Sequence, residues 1–170
     1  MRVLGIDPAS HTGIAVVESG KKVIYSEEAY FKNLGGSAQA AAITERIISV
    51  HGEYSPDLVV LESMIVGHPA SAIPIIRLGS VIRYFLWQEN IKAIQVNPGS
   101  LKNFVVGKGN AKKDEIMMMV LKNWGFTPRT NNIADAVGLA MFGLATLGEK
   151  FTQKQELVVS RQMATKPWCN

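Results

Sequence analysis

The sequence predicts an α/β domain: a mixed five-stranded sheet with helices on both faces. Three observations carry that expectation. The first thirty residues hold three β-prone runs joined by short turns. From Ser37 onward, apolar residues recur at helical spacing in runs that alternate with two β-branched runs. The chain then closes on helical runs alone. With 170 residues, 47% hydrophobic and 19% charged, one domain can bury a substantial core, and global disorder is excluded.

Arg2 to Ile6 is compact and mostly apolar and ends at Asp7-Pro8, as a buried strand closed by its proline does. Thr12 to Glu18 is a second β-prone run. Ser19-Gly20 makes a tight turn, and Lys22 to Glu27 is the third strand of an antiparallel meander. Ser37 to His51 carries alanines and isoleucines at helical spacing, with Gly52 as its stop. Asp57 to Leu61 is a dense β-branched run ending at Glu62, as expected of a central parallel strand. Ser71 to Trp87 reads as a helix with Pro74 in its first turn, where proline is tolerated. Ile91 to Val96 is the fifth strand. Gly99 to Phe104 holds one short helical turn, and Gly107 and Gly109 belong to a mobile loop. Lys112 to Trp124 is a helix ended by Gly125, and Asn132 to Leu147 is a well-buried helix. Residues after Gly148 are more polar and form an appended helix or a loose tail, so the domain spans 1–148 and an extension 149–170. Helices between the later strands imply parallel crossovers, while the first three strands imply hairpins. That order is the order of an RNase H-like domain.

The net charge is +4 and the pI about 9.2, a modest basic excess that suits a polyanionic partner. Its placement says more than its size. From Lys92 to Arg129 the basic residues are Lys92, Lys102, Lys108, Lys112, Lys113, Lys122 and Arg129, against only Asp114 and Glu115. That window is either a solvated basic face or a phosphate-contacting surface. The single cysteine, Cys169, excludes a disulfide framework and a cysteine-based metal site. No run approaches the roughly 20 apolar residues that span a bilayer, and the opening is too short and too soon charged for a signal peptide. A soluble, cytoplasmic protein of a reducing compartment follows.

The acids point to chemistry. Asp7 and Glu62 each sit at the C-terminal end of a strand. If those strands are parallel neighbours, both carboxylates emerge at one sheet edge, roughly 5 Å apart. Two such acids repel unless they are protonated or meet a cation. Asp135 lies early in an apolar helix, where a carboxylate is costly unless paired or metal-bound. Asn132, three residues earlier on the same face, is either a ligand through its carbonyl oxygen or a plain N-cap. Hard oxygen donors without cysteine suit Mg²⁺, with Mn²⁺ able to substitute. Two such ions in one site can activate a water and stabilise a leaving 3′ oxygen. His11 and His68 read as solvated loop histidines, since neither has the paired spacing of a zinc motif. Gly107-Lys108-Gly109 is no Walker loop, though glycines beside a lysine suit phosphate contact.

At this point the sequence resembles the RuvC family of Holliday junction resolvases. The resemblance rests on four segments in order: VLGIDPASHTGIAVVE, LVVLESMIVGHPASAIPIIRLGSVI, VNPGSLKNFVVGKGNAKKDEIMMMV and NNIADAVGLAMF. GIDP alone is weak, because sugar kinases and related ATPases also begin so; the four together cover nearly the whole chain. The resemblance implies that Asp7, Glu62 and Asp135 are metal-binding carboxylates. It implies that Lys102 and Lys113 are active-site lysines, with Lys108 and Lys112 as further positive charge on DNA. Family members usually place an acid or a histidine where this chain has Asn132. They place an aromatic wedge in the loop where this chain has Met64, Ile65 and Val66. These departures are most like the bacteriophage members. The resemblance further implies a homodimer acting on four-way and other branched DNA; the apolar residues of the Ser71–Trp87 helix serve either its interface or the core. Competing readings are a nuclease of the same fold on RNA–DNA hybrid or flap DNA, a non-catalytic junction-binding protein, and a sugar kinase or actin-like ATPase. The last needs a second domain for which 170 residues leave little room.

Overall fold

A computed structural model describes residues 1–63 and 69–165. Three strands open the chain, β1 (Arg2–Asp7), β2 (Thr12–Glu18) and β3 (Lys22–Ala29). Then follow α1 (Gly36–Tyr54), β4 (Leu58–Glu62), α2 (Pro69–Gln88), β5 (Ala93–Val96), α3 (Pro98–Val106), α4 (Lys113–Trp124), α5 (Asn131–Thr146) and α6 (Gln153–Met163). The sheet has the order β3-β2-β1-β4-β5. β2 pairs antiparallel with β1 and β3, while β4 pairs parallel with β1 and β5. The meander and the crossovers thus assemble into the expected mixed sheet. Among the described residues no helix is long and apolar enough to cross a membrane.

Side chains alternate across a strand, so the sheet divides the core in two. Val3, Val17, Leu58, Val60, Ile94 and Val96 face α5 with α3, α4 and α6 packed around it. Leu4, Ile6, Ile14, Val16, Val59 and Leu61 face α1 and α2. By the same alternation, Asp7 follows Val3 and Gly5, and Glu62 follows Leu58 and Val60, onto the α5 side. That helix sits unusually close. A Cβ on Gly5 would stand 2.0 Å from the Ala136 carbonyl oxygen, and one on Gly13 1.9 Å from that of Asn132. Two missing side chains therefore let α5 lie almost backbone to backbone on β1 and β2.

Several element ends differ from expectation. α1 runs through Gly52 and stops at Ser55, whose φ of 45° is left-handed and whose N–H donates to the His51 carbonyl. Gly52 is only a weak helix residue, whereas Pro56 drives its predecessor out of the helical region. α2 begins at Pro69, so Pro74 falls in the second turn and removes one backbone hydrogen bond there. The single turn expected at 99–104 is a nine-residue helix. Its start was written in Asn97-Pro98: the Asn97 side chain accepts from the Gly99 N–H at 2.7 Å, and Pro98 occupies the first helical position. Beyond Gly148 the chain forms α6, opened by Thr152 and its reciprocal bonds with Gln155. Val158 and Val159 join the α5-side core.

Two glycine substitutions should move stability in opposite directions. Gly52→Ala, exposed and with open space around its Cβ, should raise stability by about 0.5–1 kcal/mol. Gly5→Ala should lower it by about 3 kcal/mol or more, because a packed backbone must move. Urea unfolding of both variants checks this; a Gly5→Ala protein as stable as the parent would refute the close helix contact.

Candidate active site

The acids meet where β1, β4 and α5 converge. β1 and β4 pair in parallel with Ile6 opposite Leu61, which sets Asp7 beside Glu62 one residue further on. α5 crosses above them and brings Asn132 and Asp135 down. Two further helix starts close the rim: α3 contributes Pro98 and Lys102, and α4 contributes Lys113. Together with Ala9, Ser63, Ile75 and Ile116 these residues line a cleft of about 300 Å³. A larger cleft, about 490 Å³, opens between α3, α4 and α6 and touches none of the acids. All three candidate acids line the smaller one.

The electrostatics of the cleft are strained. Asp7 is only 7% exposed, and burial pushes its pKa well above the usual carboxylate range. Glu62 and Asp135 push it further, while Lys113 pulls it back. Burial and the neighbouring Asp135 raise Glu62 to about 7, against the pull of Lys102 and Lys113. Burial raises Asp135 to about 6, again opposed by Lys113 and Lys102. A side-chain hydrogen bond joins Asp7 and Glu62, with Asp7 as the protonated partner. All three carboxyl groups are thus raised, chiefly by burial, and the two lysines only partly oppose the rise.

A divalent ion fits this donor set in kind. The donors are hard oxygens, they line one cleft, and a cation would offset the mutual repulsion that adds to burial in raising Asp7 and Glu62. In this conformation they do not close up: among the described residues no group of three or more His, Cys, Asp or Glu lies close enough to hold a metal ion.

The other candidate residues take different places. Asn132 lines the cleft but does not cap α5. Thr130 does, its hydroxyl accepting from the Ile133 N–H at 3.3 Å. The Asn132 Nδ2 donates instead to Glu28 Oε1 at 2.8 Å, a partner missed in the sequence because it lies on β3, 104 residues away. Lys108 and Lys112 stay outside the cleft lining. Lys108 pairs with Glu115 at 2.6 Å, and the same carboxylate accepts from the Lys112 backbone N–H at 2.7 Å. Lys112 and Lys108 are thereby tied to the start of α4. His11 stacks on Tyr30 with centroids 4.0 Å apart. Met64, Ile65 and His68 lie outside the described residues, as does Cys169.

Comparison with known proteins decides the lineage. The family model for crossover junction endodeoxyribonuclease RuvC matches residues 3–142. The chain belongs to the RuvC family. The crossover junction endodeoxyribonuclease RuvC of Hydrogenovibrio crunogenus is 31% identical over 124 residues, 70% of this chain and 72% of that protein. The Thermus thermophilus RuvC structure superposes with a TM-score of 0.73 at 23% identity, over 88% of this chain and 98% of that one. The same protein in complex with a Holliday junction substrate gives 0.72, over 83% and 91%. The fold of this RuvC-family chain is therefore RNase H-like. These matches support the family as a whole and do not single out its bacteriophage members.

The raised pKa values have a measurable consequence. In the metal-free protein the folded acids keep protons that the unfolded chain has released above about pH 4. Their contribution to stability therefore falls as pH rises from there through about 7. The melting temperature in EDTA should drop between pH 5 and pH 8, by roughly 2–4 °C for each kcal/mol lost, and Mg²⁺ at pH 8 should restore it. Thermal melts of wild type and Glu62→Gln check this. The variant should show a shallower pH dependence, and an equally steep one would count against the charge strain.

Proposed function

We propose that this chain is a structure-selective endodeoxyribonuclease that cuts Holliday junctions and other branched DNA, leaving a 5′ phosphate and a 3′ hydroxyl. The observation that carries the reading is the convergence of Asp7, Glu62 and Asp135, from three separate elements, on one cleft rimmed by Lys102 and Lys113. Family membership supports the reaction class. The junction-bound Thermus thermophilus relative supports the substrate.

Asp7, Glu62 and Asp135, with Asn132 at the corner, would hold Mg²⁺ or Mn²⁺, two ions per site. Bound there, the ions supply an activated water and charge neutralisation for an in-line displacement at phosphorus. Lys113, the first residue of α4, holds its ammonium toward the phosphate whose negative charge grows during attack. The unpaired N–H groups of the same helix start favour that charge too. Lys102 approaches from α3 and offsets the charge on Glu62. Met64 and Ile65, which follow Glu62 closely in the sequence, would meet the junction's bases, more weakly than an aromatic wedge. Together with Asn132 in place of an acid, they are what allies the chain with the bacteriophage members. Lys112 adds a phosphate contact beside the cleft. Lys108 does so at the cost of its pair with Glu115.

Cleavage of end-labelled four-way, three-way, flap and linear duplex DNA, and of RNA–DNA hybrid, in Mg²⁺ and in Mn²⁺ tests the reading. Four-way junctions should be cut fastest; a preference for hybrid or flap would replace the substrate assigned here. Asp7→Asn should abolish cutting and leave junction binding in place. Lys113→Ala should slow single-turnover cleavage on the order of 10²-fold with DNA saturated. An unchanged Lys113→Ala rate would remove the lysine from the transition state.

A homodimer fits the two-strand reaction, and α2 offers a face for it. Leu78, Ile82 and Leu86 turn inward and are at most 4% exposed, while Ile73, Tyr84 and Trp87 turn outward at 53%, 63% and 62%. These outward positions share one side of the helix. Sedimentation of Tyr84→Glu/Trp87→Glu at micromolar concentration should give a monomer where wild type is a dimer. A double variant that still sediments as a dimer would move the interface elsewhere.

A further inference from the structure

We infer that Glu28 is a positioning residue of the metal site, acting through Asn132. The inference rests on the metal-dependent reading above and adds a residue to it.

The sheet register carries the first half of the argument. Glu28 pairs with Gly13 across β3 and β2, and Gly13 pairs with Asp7 across β2 and β1. Directly paired residues point to the same face, so Glu28, Gly13 and Asp7 form a row on the α5 side, with Glu62 beyond. Strands lie roughly 5 Å apart, which puts the Glu28 and Asp7 backbones about 10 Å apart with Gly13 between them. Gly13 has no side chain, and the first turn of α5 settles into that gap, as the 1.9 Å approach of a Gly13 Cβ to the Asn132 carbonyl indicates. Asn132 is thereby seated between Asp7 on one side and Glu28 on the other.

The hydrogen bond carries the second half. An ionised carboxylate only accepts, so the 2.8 Å contact with Glu28 Oε1 takes the NH₂ end of the Asn132 amide. The carbonyl oxygen, the only end that can ligate a cation, is the end left for the cleft that Asn132 lines. A carboxylate behind the amide also makes that oxygen a better donor, as partners behind metal ligands generally do. An aspartate at 132 would instead press two carboxylates together, so asparagine is the residue that suits this neighbour.

Mn²⁺ titration calorimetry on wild type, Glu28→Ala, Glu28→Gln, Asn132→Asp and Glu28→Gln/Asn132→Asp tests the inference. Side-chain amide NMR of Asn132 in the metal-free protein gives a readout independent of activity. Glu28→Ala should weaken Mn²⁺ binding about 10-fold or more and move the Asn132 amide signals. Glu28→Gln, whose carbonyl can still accept, should recover part of the affinity. Asn132→Asp alone should bind no better than wild type, and adding Glu28→Gln to it should strengthen binding. Unchanged affinity and unchanged amide signals in Glu28→Ala would overturn the inference, as would equal effects of Asn132→Asp with and without Glu28. Asp7→Asn separates the two levels. If wild type shows no Mn²⁺ binding that Asp7→Asn removes, the metal-dependent reading fails and this inference with it. If that binding is present but indifferent to Glu28, only the inference fails.

Discussion

The close contact between α5 and the sheet is the constraint on which the site depends. Packed helices and sheets are ordinarily held apart by their side chains, at roughly 10 Å. Here Gly5 and Gly13 remove the spacers under one helix, and the backbone oxygens of Asn132 and Ala136 come down onto β2 and β1. Gly143, further along α5 itself, makes room for the Val3 and Val60 side chains. Lowered by that amount, α5 carries Asp135 to the two strand-end acids. At an ordinary packing distance Asp135 would stand further from the cleft that Asp7 and Glu62 line.

Lowering a charged helix onto two buried acids has a cost, and the surrounding elements distribute it. Lys102 and Lys113 face the acids from two helix starts and pull their pKa values down, yet Glu62 still rises to about 7. The counter-charge is deliberately short by the measure of a static structure: two ammonium groups against three carboxylates. A cation held there would offset the repulsion that Asp135 exerts on Asp7 and Glu62. Glu115 restricts the compensation further by holding Lys108 at 2.6 Å.

Much of this was legible in the chain. β2 is bounded as its composition suggested, Thr12 to Glu18, because alternation and flanking turns are local signals. Asp7, Glu62 and Asp135 could be singled out because a carboxylate at a strand end or in an apolar helix is costly without a reason. What escaped was of two kinds. Some signals are local but easily misweighted: Gly52 reads as a stop although Pro56 decides where α1 ends, and Asn97-Pro98 opens a helix longer than one turn. Others were not local at all. The bond from Asn132 to Glu28 depends on a strand register and on the depth of a helix, and neither is written near either residue.

The two-sided sheet also bears on how such a protein can change over generations. α5, α3 and α4 bring the acids and lysines together on one side, while α1 and α2 cover the other. The outward residues Ile73, Tyr84 and Trp87 thus lie on the layer opposite α5, with the strands as a wall between. Of the α2 side chains, Ile75 reaches the cleft, whereas Ile73, Tyr84 and Trp87 can vary without touching its lining. Gly5 and Gly13 have no such freedom, because any side chain there would meet the α5 backbone.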